Sequence, residues 1–327
     1  MLLDKGYLRW EEWVKLKTIT MSKVSLSKSM VIGASFLLLS ALLTSISQVY
    51  YANQVQGVHP FLFTGVSFFI TALIFNLIAL KQPKRLNVSA RSSSYDFMKL
   101  NGSSVLAFMG FYYALKFIEP AIVSSLEMGV GPFFAIIVTA MIAKSKIRAT
   151  RAQWMITLGT FAASLLLVMT ALFGLSGVKV TSSTDFIYGI IASVLCGLGA
   201  VLCTIYSKRL SNAGWTSSSI LAHRFYAIIG ISFLMTYDTL PTYLMENIDW
   251  IALVTIFGVA VPTFLLQKGI QYCEPFFVMM TICFIPAFTF FFQLFDPRIE
   301  WSTPTLIGVL MLFILGIISV FSENQTQ

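Results

Sequence analysis

The chain has 327 residues, 57% of them hydrophobic and 11% charged, with a net charge of +8 and a mean hydropathy of +0.81. Soluble domains carry about 25% charged residues, and a water-soluble core has no room for 29 Phe beside this much Leu, so an ordinary pair of soluble domains is excluded. The basic residues lie in short strips between apolar runs rather than in one patch, which argues against a nucleic-acid partner.

Residues 1–29 form a charged segment assigned to the cytoplasmic side. They lack the apolar stretch and small-residue cleavage site of a secretory signal. Met21-Ser-Lys-Val looks like an ordinary start. Residues 1–20 are either an upstream extension or an interfacial helix carrying Trp10, Trp13 and Leu16.

About 20 apolar residues span a bilayer as a helix. The pattern predicts spans near 30–51, 58–80, 97–117, 120–143, 152–173, 185–206, 216–237, 250–270, 275–295 and 304–321. Backbone groups must be satisfied within lipid, so these are helices, and the alternating ten-residue pattern of an outer-membrane barrel is absent. The expected fold is an all-α membrane protein of ten transmembrane helices.

Orientation follows from Lys and Arg in the short loops. Eighteen of the 22 fall before span one or after spans two, four, six and eight, with only Lys116, Lys179 and Arg298 on the other side and Arg224 inside span seven. Both termini are therefore expected in the cytoplasm, including a tail at 322–327.

The two halves, 30–173 and 185–321, repeat one another. Ala114-Leu-Lys-Phe-Ile-Glu-Pro120 corresponds to Gly269-Ile-Gln-Tyr-Cys-Glu-Pro275, with Glu119 and Glu274 155 residues apart. Pro132 and Pro286 stand 154 apart, and Tyr51 corresponds to Tyr206. Five helices per copy is an odd number, so the copies enter the membrane in opposite directions, as in inverted-repeat transporters. Pro suits the first position of a helix and a carboxylate suits its N-terminus, so Glu119 and Glu274 read first as interfacial helix starts.

Ten spans, two inverted five-helix repeats and the segment Ala114-Leu-Lys-Phe-Ile-Glu-Pro-Ala-Ile-Val-Ser-Ser-Leu-Glu-Met-Gly-Val-Gly-Pro132 resemble the drug/metabolite transporter superfamily, and within it the EamA type. The resemblance covers about residues 30–321 and implies a transporter fold. The Arg common in the family after the Pro of the second helix is missing: residues 66–70 are Val-Ser-Phe-Phe-Ile. His223-Arg224 keeps the basic position in the second repeat, so a strongly anionic substrate is disfavoured.

Ionisable groups inside lipid are costly and face a cavity or a partner. Glu127 lies about 12 Å from the outer edge of span four, and Arg224 about as far from the inner edge of span seven, at 1.5 Å per residue. Both are candidate pathway residues, with Glu127 a candidate proton-binding carboxylate; the plainer alternative is a buried packing pair. His223 reads either as a titratable pathway group or as a packing residue. Tyr112 and Gln267 join the pathway candidates, among further polar or aromatic residues at Gln48, Asn76, Tyr113, Tyr226 and Gln271. Gly129, Gly131, Pro132, Pro262 and Pro286 read either as helix breaks that free carbonyls or as close-packing positions.

No phosphate loop, His-Glu-x-x-His or Cys-x-x-Cys appears. Cys196, Cys203, Cys273 and Cys283 lie in apolar spans and read as packing residues. No cofactor, metal or catalytic group is expected. The expectation is a non-enzymatic secondary transporter of a bacterial inner membrane, monomeric or homodimeric. It exports a small polar metabolite such as an amino acid, with import as the alternative; an intramembrane enzyme or a non-transporting scaffold are rivals of another class.

Overall fold

The computed structural model describes residues 28–81, 90–143, 149–178 and 182–323; residues 1–27, most of the predicted N-terminal segment, and 324–327 of the tail lie outside them, as do Lys84, Arg85, Lys144, Lys146, Arg148 and Lys179. Among the described residues all regular structure is helical. In chain order the α-helices are α1 (Lys28–Gln54), α2 (Pro60–Leu80), α3 (Ala90–Ser104), α4 (Gly110–Ala114), α5 (Pro120–Ala143), α6 (Arg151–Leu172) and α7 (Ser183–Asn212). They continue with α8 (Ser217–Ala222), α9 (Tyr226–Thr236), α10 (Leu240–Val254), α11 (Val261–Tyr272), α12 (Pro275–Ile282), α13 (Ile285–Gln293) and α14 (Thr303–Glu323). Two π-helical segments, Val105–Met109 and Thr255–Ala260, join α3 to α4 and α10 to α11.

Among the described residues eight helical stretches are long and apolar enough to cross a bilayer, the make-up of a multi-pass helical membrane protein. The apolar part of α14, Thr303–Ser319, is shorter. The third predicted span is built from α3, a π segment and α4, with Lys99 and Asn101 on α3. Large apolar side chains such as Leu77 (55% exposed) and Leu234 (78%) cover the outside, as lipid contact demands.

Starts and stops follow local chemistry. Pro60 opens α2 at a position that needs no N–H, and the His59 ring accepts from Phe61 N at 3.3 Å. Thr150 and Gln153 form a reciprocal capping box on α6. Inside the bundle small residues allow close crossings. A Cβ on Gly129 would sit 2.9 Å from the Thr160 carbonyl of α6, and one on Gly197 of α7 would sit 2.9 Å from the Glu127 carbonyl. The second contact presses α7 against the turn of α5 that carries Glu127.

Buried polar bridges tie the first half of the chain to the second. Gln48 of α1 donates to Ser124 of α5 at 2.9 Å and to Thr289 of α13. At the end of the bundle where α5 begins, Glu119 is 1% exposed and takes Gln293 Nε2 at 2.5 Å and Gly177 N at 2.8 Å. Glu119 stands at the start of a helix, as expected, and is buried in a junction between the halves there. Glu274 fits the simpler reading: its side chain is 69% exposed and meets Lys208 at 3.8 Å.

Candidate functional site

Two breaks shape the centre of the molecule. The predicted seventh span is not continuous: α8 ends at Ala222 and α9 begins at Tyr226. Neither Gly nor Pro lies at the break; two asparagines from neighbouring helices hold it open. Asn76 Nδ2 of α2 donates to Ala222 O at 2.9 Å. Asn101 of α3 donates from Nδ2 to His223 O at 2.7 Å, and its Oδ1 accepts from Ala227 N at 3.2 Å. These side chains replace the partners that an unbroken helix would supply, as lipid-buried backbone requires.

The second break separates α12 from α13 at Cys283–Phe284, with Pro286 at the start of α13. Pro286 therefore stands where a helix break was expected. Gly131 and Pro132 do not: α5 runs unbroken from Pro120 to Ala143. Pro132 lacks the N–H that Met128 O would accept, and Cys283 Sγ approaches that carbonyl at 3.6 Å instead. A re-satisfied carbonyl is what lets an interior proline pass without ending a membrane helix.

Both breaks and both π segments border one cavity of about 100 Å³. Glu127, Arg224 and Tyr112 line it. Ala107 and Phe108 come from the first π segment, and Gly258 and Val259 from the second. By the rule that one water needs roughly 10–15 Å³ of such space, the cavity holds several waters or one small organic molecule.

Arg224 is 2% exposed and its Nε donates to Ser104 Oγ at 2.9 Å. The guanidinium carbon lies 5.2 Å from the Phe108 ring centre and 5.6 Å from that of Phe225, within cation–π range. Nη1 is buried and has no hydrogen-bond partner among the described residues. Glu127 lies beside the Cys196 thiol and keeps some accessible surface. Among the described residues no ion pair joins Glu127 to Arg224, so the cavity holds an acidic and a basic side chain that do not pair with each other.

Tyr112 contributes its side chain to the wall and to an aromatic cluster. Its ring centre is 4.8 Å from Tyr51 and 5.1 Å from Phe63, and Phe63 stacks on Trp250 at 5.5 Å. Tyr51 also donates to Tyr112 O at 3.3 Å.

The other two predicted pathway residues stand off the cavity. His223 is half-buried; its Nδ1 meets Tyr226 Oη at 2.7 Å and its ring is edge-on to Phe97. The chain turns at this point, so His223 and Arg224 leave the break in different directions. Gln267 is fully buried on α11, and neither amide atom finds a partner among the described residues.

Sequence reasoning missed Ser104, Asn101, Phe108 and Cys203. The polar run Asn101-Gly-Ser-Ser104 inside an apolar stretch is the signal that could have found the first two.

Outside the membrane-spanning stretches two carboxyls are shifted in opposite directions. Burial raises Glu119 above the usual carboxylate range, against hydrogen bonds from Gln293, Gly177 and Thr305. Burial pushes Asp296 up too, but Arg298 hydrogen-bonds and pairs with it at 2.6 Å, Asn53 donates at 3.0 Å, and the net effect holds it below its ordinary value.

No family profile matches the chain, and no curated protein does. Chains of solved structures do match, 26 in number. One of them, known simply as the crystal structure of a protein, superposes on 93% of this chain and 100% of its own length with a TM-score of 0.62 at 16% identity. A likeness at that identity carries the fold alone.

Proposed function

We propose that the chain is a secondary transporter of the EamA type within the drug/metabolite superfamily. It has ten spans in two inverted five-helix repeats, both termini in the cytoplasm, and resides in the inner membrane of a bacterium. It exports a small polar metabolite, an amino acid or a related compound, by alternating access, with Glu127 as the proton-binding carboxylate. It performs no chemical conversion.

One observation carries this reading: a single cavity receives Glu127 from the first half of the chain and Arg224 from the second. A site formed between two halves is what rocking of one half against the other would open to alternate sides. The π segments support it. They begin at Val105 and Thr255, 150 residues apart, each in the third predicted span of its half, and each walls the cavity. Broken helices at the site are a further mark of such carriers.

The test compares metabolites in medium and cells between a deletion strain and an overexpressing strain. A compound that rises in the medium on overexpression and accumulates in deleted cells names the substrate and the direction. Depletion from the medium only when the protein is present reverses the direction to import. No solute flux in either assay, nor in liposomes carrying the pure protein, removes the transporter reading.

A further inference from the structure

The cavity's positive pole lacks an anion. A guanidinium offers five N–H donors, yet among the described residues Arg224 makes one hydrogen bond, from Nε to Ser104 Oγ at 2.9 Å. Nη1 is buried without an acceptor, and no carboxylate pairs with the group. A desolvated cation with no counter-charge is expensive in lipid. The rings of Phe108 and Phe225 ease the charge but give Nη1 no acceptor. The N-terminus of α9, two residues after Arg224, adds the partial positive charge of its first-turn N–H groups.

The remaining wall is largely apolar, with Phe108, Phe111, Leu266, Ile270, Ile282 and Ile285 prominent in it. No second Lys or Arg lines it. A dianion would therefore keep an unpaired charge in a dry site, and the other polar groups of the wall, the hydroxyls of Ser40, Thr44, Tyr112, Thr204 and Thr263, are few beside its apolar surface, so a molecule polar all round would leave part of its polar surface unmatched. The volume of about 100 Å³ is about two thirds of the roughly 150 Å³ cavity that takes up benzene, which limits the apolar body to about four carbons.

We infer that the cavity's ligand carries one carboxylate, seated on Arg224, and a compact apolar body lying against Phe108, Phe111, Ile282 and Ile285. The inference rests on the transporter reading and narrows its substrate from small polar metabolites in general to amphipathic monocarboxylates. A molecule that also bears an ammonium group presents it to Glu127; one without it leaves that residue to its proton. Carboxylate and apolar body are common to both sources.

The experiment measures Kd calorimetrically on the full-length protein in detergent, with 4-methylpentanoate, leucine, 4-methylpentan-1-ol and succinate as probes. One or both monocarboxylates bind, and the alcohol and succinate bind at least about tenfold more weakly, the scale of one charge-assisted hydrogen bond. Arg224→Gln weakens the monocarboxylates by a similar factor without changing binding of the alcohol, and Arg224→Lys restores part of it. Tighter binding of leucine that disappears in Glu127→Gln assigns the ammonium to Glu127; equal binding assigns the plain carboxylate. Should Arg224→Gln not fold, Ser104→Ala, which releases Nε and the contact with Cys203 Sγ while keeping the guanidinium, weakens the same two probes. Binding of neither monocarboxylate, preference for succinate, or Arg224 variants that bind like the parent overturns the inference. Flux of another solute in liposomes without monocarboxylate binding sinks this inference and leaves the transporter; binding with no flux does the reverse.

Discussion

The Cys283 thiol lies 3.6 Å from the carbonyl of Met128, the one carbonyl of α5 that Pro132 deprives of its helical donor. The same sulfur reaches Met279 O at 3.3 Å. A proline in one half of the chain and a cysteine in the other thus share one backbone group, and the contact fastens the α12–α13 break to α5. Cys283→Ala removes the side-chain donor near Met128 O, at a cost of about 1 kcal/mol, the low end for a lost buried hydrogen bond because the thiol is shared with Met279 O. Cys283→Ser retains a donor and stays closer to the parent. Thermal melting in detergent orders the three as parent, Ser, Ala; an Ala variant that melts with the parent removes the thiol from the account.

Glu127→Gln keeps the shape of the cavity and removes its acidic group. Under the proposed transporter reading, net transport falls by at least about tenfold, the scale of one lost charged interaction, while membrane abundance is unchanged. The parent's rate depends on external pH and the variant's does not. A parent rate that is flat across pH would remove the proton from the mechanism.

Asn101→Ala strands His223 O and Ala227 N together. Each buried orphan costs about 1–3 kcal/mol, so the variant melts lower and Arg224 loses its fixed position. Asn101→Asp keeps the acceptor for Ala227 and loses the donor to His223, and falls between the two. Wild-type melting in Asn101→Ala would show that the break holds itself open.

Glu119 and Asp296 impose opposite pH slopes on stability. Burial raises the folded pKa of Glu119. Its contribution is therefore fully present below the ordinary carboxylate value of about 4.3 and is lost as pH rises through the raised folded value. Melting temperature measured upward from pH 4 falls in the parent, and Glu119→Gln flattens that fall. An identical slope in the variant would assign it to other groups.

Asp296 is held below its ordinary value by Arg298 and Asn53, despite burial. Its contribution is present above the unfolded value of about 3.9 and fades as pH drops through the lowered folded one. Arg298→Ala removes it, so the variant's deficit in melting temperature is largest near neutral pH and shrinks in acid. A deficit that stays constant with pH would make Arg298 a packing residue.

Hydropathy located nearly every helix, because the cost of an unpaired peptide group in lipid leaves the chain no other structure. Glu127 and Arg224 were legible for the same reason, since a charge in an apolar run has few places to go. The interruptions were not legible. The His223–Phe225 break contains no residue that forbids a helix, and it exists because Asn76 and Asn101, more than a hundred residues earlier, supply its hydrogen bonds. Pro132, the residue most apt to break a helix, does not, and the Cys283 thiol of the other half lies against the carbonyl it leaves unpaired. Gln293 beneath Glu119 was hidden likewise. Each depends on a tertiary partner, and periodicity along one strand of sequence carries no record of partners.

A π-helical turn takes in one residue more than an α turn, and one residue is worth about 100° of rotation. The segment Thr255–Ala260 therefore sets the angular phase of all of α11, and with it the fact that Thr263, Leu266 and Ile270 look into the cavity. Excising a single residue there would rewind the segment and turn that face away, although every side chain of the wall would still be present. The cavity is thus specified by chain length as well as by residue identity.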